Sequence, residues 1–166
     1  MKIHTVILAA GEGSRMQSNK AKSLQPVGGL SMLRRIFDTV SNLTDEISFV
    51  VGFEKDSVIN EIEKFSGINH ICEQKKPIGT ADAVKSALDS IKQNSKVLVL
   101  YGDVPLIKNE TLNNLISMTD DSLTILSTEL KNPTGYGRVK KNKDGLAISI
   151  VEEKDTSEEE KKIKEI

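Results

Sequence analysis

The 166-residue sequence has one cysteine, two histidines and four prolines, and it lacks tryptophan altogether. A single cysteine, Cys72, excludes an internal disulfide and a thiolate metal cluster. Its place beside Ile71 in a strand-like segment favours inert burial over a reactive thiol. His4 and His70 stand apart in or beside strand-like runs and read as structural rather than catalytic. The four phenylalanines (Phe37, Phe49, Phe53 and Phe65) are scattered. They read as core residues and make no stacking platform for nucleic acid. No sign of charge dominates: 23 Lys and Arg against 24 Asp and Glu leave a net charge of −1. There is thus no global field to draw the protein to nucleic acid or anionic lipid. No apolar run approaches the ~20 residues that span a bilayer. Met1-Lys2-Ile3-His4-Thr5 turns straight into a strand without a signal-peptide cleavage pattern. With no internal repeat and no Pro- or Ser-rich linker, the expectation is one soluble cytoplasmic domain over residues 1–166.

What is present is an alternation. Apolar, β-branched runs at Ile3–Leu8, Ile47–Val51, Ile68–Cys72 and Val97–Tyr101 predict strands. Between them, Leu33, Ile36, Phe37 and Val40 fall at helical spacing, as do Val58, Ile62 and Phe65. Ala83, Val84, Ala87, Leu88 and Ile91 make a third stripe. Strands separated by helices argue for βαβ units, hence an α/β, Rossmann-like fold with a mostly parallel central sheet flanked by helices. After Leu112-Leu115-Ile116 the pattern changes. Leu123–Leu130, Gly137–Val139 and Leu146–Val151 read as strands, the last two joined by Asn142-Lys143-Asp144-Gly145 as a small antiparallel element. The terminal run from Thr156 to Glu165 reads as a solvated helix, with Ser157 and Glu160 spaced as a capping box.

In such a sheet ligands sit outside the carboxyl ends of the strands. The first of these loops is Leu8-Ala9-Ala10-Gly11-Glu12-Gly13-Ser14-Arg15-Met16, with Lys22 a little further on. Glycines without a Cβ let backbone N–H groups approach a phosphate, and Arg15 and Lys22 add positive charge. The loop lacks the Lys-Ser/Thr of a P-loop. It also lacks the third glycine and the acidic strand end of a dinucleotide fingerprint. A plain tight turn stays open at this point. After the third strand, Gln74 offers an amide donor and acceptor suited to a base edge, and Gly79-Thr80 opens the Ala-rich helix. After the fourth, Tyr101-Gly102-Asp103-Val104-Pro105-Leu106 sets a carboxylate where a Mg²⁺ ion could meet phosphates.

Together with Gly79-Thr80-Ala81-x-Ala83, Pro133-Thr134-Gly135-Tyr136-Gly137-Arg138-Val139 and Val151-Glu152-x-Lys154-Asp155, these segments resemble a known family. It is the N-terminal uridylyltransferase domain of bacterial bifunctional N-acetylglucosamine-1-phosphate uridylyltransferase/glucosamine-1-phosphate acetyltransferase. The resemblance implies transfer of a uridylyl group from UTP to N-acetylglucosamine-1-phosphate, giving UDP-N-acetylglucosamine for envelope precursors and pyrophosphate. It implies that Leu8, Ala9, Ala10, Gly11 and Gly13 embrace the nucleotide and that Lys22 meets its phosphates, with Arg15 and Lys22 as the catalytic cations. Gln74 and Gly79 would recognise uracil. Thr80, Tyr101, Gly102, Gly137 and Glu152 would line the pocket for the amino sugar and ribose, and Asp103 would hold Mg²⁺. Ser14, in place of the family's usual Thr, is a mild departure. The family domain continues past the position of Ile166 through an Asn-Thr-Gly motif and a second metal-binding Asn. Beyond these comes a β-helical acetyltransferase domain that forms a homotrimer. The expectation is therefore a truncated chain, inactive or nearly so by itself. A non-catalytic nucleotide-binding remnant and a related enzyme for another sugar or base are the alternatives.

Overall fold

The computed structural model describes residues 1–13, 20–67, 69–119 and 122–166. It divides into two compact units, Met1–Met118 and Thr119–Ile166. In the first unit the elements run β1 (Lys2–Leu8), β2 (Pro26–Val27), β3 (Leu30–Ser31), α1 (Met32–Val40), β4 (Glu46–Val51), α2 (Lys55–Ile62), β5 (Asn69–Glu73), α3 (Thr80–Lys85), β6 (Ser95–Tyr101) and α4 (Asn109–Met118). The second unit contributes β7 (Arg138–Lys141) and β8 (Ala147–Val151).

Four strands form the central sheet in the order β5-β4-β1-β6, and each neighbouring pair is parallel. The apolar runs of the two central strands, β1 and β4, do not alternate with polar residues because both faces are covered there, whereas Val97 and Val99 of β6 stay exposed. On one face Ile7 and Ala9 join Leu33, Ile36 and Phe37 of α1, Val58 and Ile62 of α2, and Leu112 of α4. On the other, Val6, Ala10 and Val50 meet Ala83 of α3 and Ala87 beyond it. All six residues of β4 are buried. Phe65 lies past the end of α2, yet it stacks on Phe37 with ring centroids 4.4 Å apart. His4 and Ser48 are buried neighbours, the imidazole Nε2 lying 2.7 Å from the hydroxyl, which gives His4 a structural place.

Registry aligns the carboxyl ends. Leu8 stands opposite Val50 on one side and Tyr101 on the other, and Val51 opposite Glu73. The chain goes from β1 to β4 and β5 in one direction and then returns to place β6 on the far side of β1. The seam between β1 and β6 is therefore the topological switch point, where open α/β sheets open a crevice.

Several elements differ from the sequence reading. The third stripe is broken: α3 ends at Lys85, and a 3₁₀ turn follows at Leu88–Ser90. Its residues bond three back, Ala87 N–H to the Val84 carbonyl and Ser90 N–H to the Ala87 carbonyl, which turns Leu88 outward to 55% exposure. The hairpin β2–β3 was not visible as a two-residue apolar pattern; Arg35 braces it by donating to the carbonyls of Val27 and Gly28. Ile68, the expected start of the third strand, is outside the described residues.

Within the second unit β7 and β8 pair antiparallel with a bulge at Lys140/Lys141, as the turn residues predict. Asn142 Oδ1 accepts from the N–H groups of Asp144 and Leu146 and so closes the turn. Arg138 is 2% exposed and pairs with Glu153 at 2.8 Å. The run Leu123–Leu130 is not a strand; it makes one isolated bridge, Glu129 to Glu165. Nor is the terminus a helix: only a 3₁₀ turn forms, at Glu160–Lys162. The capping box exists, with Ser157 N–H donating to Glu160 Oε2 at 2.9 Å and Glu160 N–H to Ser157 Oγ at 3.3 Å. Propagation stops because the last residues spend their backbone groups elsewhere. Ile166 and Thr128 exchange both hydrogen bonds, and the Lys164 and Glu165 carbonyls accept from Leu130 and Val139. Tertiary pairing here outweighs weak helix propensity in a short segment.

Candidate active site

The carboxyl edge of the sheet opens into a cleft of about 290 Å³ lined by Leu8, Ala9, Ala10, Gly11, Lys22, Ser23, Gln74, Pro77, Gly79, Thr80, Ala83, Tyr101, Gly102 and Asp103. Three loops named from the sequence thus meet in one place. Ser23, Pro77 and Ala83 were not foreseen. They follow from the backbone path beside foreseen residues, and no chemical signature marks them.

Backbone contacts build the floor. Ala9 N–H donates to the Val50 carbonyl at 2.8 Å, and Gly102 N–H to the Leu8 carbonyl at 2.7 Å, so the loops leave the sheet already tied to their neighbours. The second contact depends on glycine, since a Cβ at residue 102 would sit 2.7 Å from that carbonyl oxygen. Gly13 has a different reason: its φ is +65°, and a Cβ there would lie 2.7 Å from Lys22 Cβ. A glycine lets the loop lie against the stem of Lys22.

Lys22 opens a 3₁₀ turn, Lys22–Leu24, whose flanking Ala21 and Leu24 are buried in the core. That anchorage directs an otherwise flexible side chain to Asp103, where Nζ lies 2.5 Å from Oδ2. Both partners remain about a third exposed, at 39% and 32%, so each stays reachable from the cleft.

Gln74 leaves the end of β5 with its N–H on the Val51 carbonyl. Its side-chain nitrogen donates to the Gly79 carbonyl at 3.1 Å and to Asp82 Oδ2 at 3.0 Å. The amide was expected to offer a donor and an acceptor together. Both of its hydrogens are instead committed inside the protein, which leaves the oxygen for a ligand.

Arg15, Ser14 and Met16 lie outside the described residues. Gly137 and Glu152 belong to the second unit. There they flank the Arg138–Val151 pair at the open end of the hairpin, and a Cβ at Gly137 would come within 3.9 Å of Glu152 Cα. Among the described residues no three His, Cys, Asp or Glu side chains gather as a protein-made metal cage. Asp103 alone at a strand end suits a cation that keeps its other positions for water and phosphate, as Mg²⁺ does. Among the described residues no helix is long and apolar enough to cross a membrane.

The chain is 42% identical to bifunctional protein GlmU of Marinobacter nauticus over 166 residues, 99% of this chain and 36% of that protein. It is 46% identical to the same-named protein of Ruthia magnifica over 165 residues, 99% of this chain and 36% of that one. The chain thus spans about a third of the length of the curated relatives it matches. In fold, it resembles HddC from Yersinia pseudotuberculosis with a TM-score of 0.69 at 23% identity, covering 90% of this chain and 68% of the other. A nucleotidyl transferase from Methanothermobacter aligns with a TM-score of 0.59 at 20% identity over 84% and 65% of the two chains. The MobA-like NTP transferase domain matches residues 5–139, most of the sheet and every described residue of the cleft, and the chain belongs to that family.

Proposed function

We propose that the cleft binds UTP and a sugar 1-phosphate, specifically N-acetylglucosamine-1-phosphate, and serves Mg²⁺-dependent uridylyl transfer yielding UDP-N-acetylglucosamine and pyrophosphate. The observation that carries the reading is the convergence in one cleft of a cation held on a rigid turn, Lys22, a strand-end carboxylate, Asp103, and a fixed amide, Gln74. The similarity to bifunctional GlmU proteins supports the choice of substrate. UDP-N-acetylglucosamine made this way would feed peptidoglycan and lipopolysaccharide precursors from the cytoplasm.

The chemistry asks little covalent work of the protein. A phosphate oxygen of the sugar phosphate, already ionised, attacks the α-phosphorus of UTP in line. The bond from that phosphorus to the β-phosphate oxygen breaks, and pyrophosphate carries the electron pair away. No general base is needed. The barrier lies in bringing two anions together and aligning them. At an effective dielectric of ~20, one like-charge pair at ~4 Å costs about 4 kcal/mol, so fixed cations matter most. Lys22 exchanges the Asp103 carboxylate for a phosphate oxygen of the nucleotide; Asp103 would hold Mg²⁺, which would supply further neutralisation of phosphate charge. The backbone of Leu8 to Gly11 carries the nucleotide, and Arg15 bears on the departing pyrophosphate.

Calorimetry on the purified chain tests both halves of the reading. UTP with Mg²⁺ is expected to bind more tightly than CTP, ATP or GTP, and UDP-N-acetylglucosamine more tightly than UDP-glucose. Equal binding of all four triphosphates would remove uridine from the account, and a preference for UDP-glucose would replace the sugar.

A further inference from the structure

We infer that Asp82 is a positioning residue for base choice: it locks the Gln74 amide so that only the oxygen, Oε1, is offered to the cleft. The inference rests on the uridine reading of the site and adds to it the residue that enforces the preference.

The amide of Gln74 could in principle present either edge, since its oxygen and nitrogen are nearly equal in size. Its surroundings remove that freedom. Nε2 lies 3.0 Å from a carboxylate oxygen of Asp82 and 3.1 Å from the Gly79 carbonyl. Both neighbours are acceptors only. Turning the amide over would set Oε1 against two acceptor oxygens, losing two hydrogen bonds and adding repulsion, one of them against a charged group. The Gly79 carbonyl alone is a weaker lock, because it holds one amide hydrogen and also accepts from Ala83 N–H at 3.1 Å. Asp82 supplies the second point and the charge. It does not line the cleft; Gln74 does. Asp82 therefore acts through Gln74 rather than on a ligand.

A locked oxygen discriminates between pyrimidines. Uracil carries N–H at ring position 3 and can donate to Oε1. Cytosine in the same register presents a lone pair there, and two acceptors face each other. A mobile amide would satisfy either base by rotating.

Two measurements on the full chain test this. In the first, affinities for UTP and CTP are compared for the native protein, Asp82→Ala and Asp82→Asn. Asp82→Ala is expected to lower the UTP-to-CTP preference about tenfold, the worth of one hydrogen bond to a charged group. Asp82→Asn, whose amide can accept from Nε2 or donate to a flipped Oε1, should lower it as well. A merely structural role would weaken both nucleotides equally and leave the ratio unchanged, and that outcome overturns the proposal. In the second, the Gln74 side-chain N–H₂ resonances are followed by ¹⁵N NMR without nucleotide, assigned by their loss in Gln74→Glu. They should be slow to exchange in the native protein and fast in Asp82→Ala. Fast exchange in the native protein overturns the lock itself. A native protein with slow exchange but no preference for UTP keeps the lock and overturns the uridine reading instead.

Discussion

Lys22 shows how much of the site depends on single residues. Its ammonium group is presented by a turn buried at Ala21 and Leu24, with Asp103 as its partner. Lys22→Ala should weaken UTP binding at least about tenfold while leaving the melting temperature nearly unchanged, because an exposed ion pair adds little stability. Calorimetry beside a thermal melt checks both. Gly102 is the opposite case, a residue with no chemistry and a strict steric role. Gly102→Val places carbon atoms against the Leu8 carbonyl at the seam of β1 and β6. A loss of about 1–3 kcal/mol in urea unfolding is expected, together with loss of nucleotide binding. Stability equal to the native protein's would mean that the two loops can part without cost.

Among the elements, α1 illustrates sequence and packing in agreement. Ser31 caps it, with Oγ accepting from Arg34 N–H at 3.0 Å and donating to Glu61 Oε1 at 2.6 Å, which ties α1 to α2. Ser31→Ala should cost about 1 kcal/mol from the cap alone, read from the midpoint of urea unfolding. Such elements were legible because one residue pattern decides them: Leu33, Ile36, Phe37 and Val40 all point into the core. The four central strands were legible for the same reason. Leu123–Leu130 and the terminal segment were not, since their conformation depends on hydrogen bonds between residues some 35 positions apart. The cleft was legible wherever a loop leaves a buried strand. The direction of the Gln74 amide was hidden, because it depends on Asp82, a residue that reads as an ordinary first-turn acid.

Across the whole molecule, acid sensitivity should come from buried His4 and Glu46 and from half-buried Glu160. Burial, the leading cause, pushes His4 below its ordinary value of 6.5, so unfolding is favoured by proton uptake once pH falls under that value. Hydrogen bonds from Lys92 and then His70 hold the Glu46 carboxyl at about 2, against an ordinary 4.5. Lys140, followed by Ser157, does the same for Glu160, which also lies at about 2. Each depressed value makes stability greatest above the unfolded-state value and erodes it on acidification. The melting temperature should therefore decline below about pH 6.5 and fall more steeply from 4.5 toward 2. A melting temperature that rises between pH 7 and pH 4 would contradict this. Nucleotide binding is the larger claim, and its location can be read directly. Titrating UTP and Mg²⁺ into ¹⁵N-labelled protein should shift the backbone resonances of Leu8 to Gly11, Gln74, Gly79 and Tyr101 to Asp103. Saturable binding that leaves those residues unmoved and shifts others would contradict the assignment of the cleft.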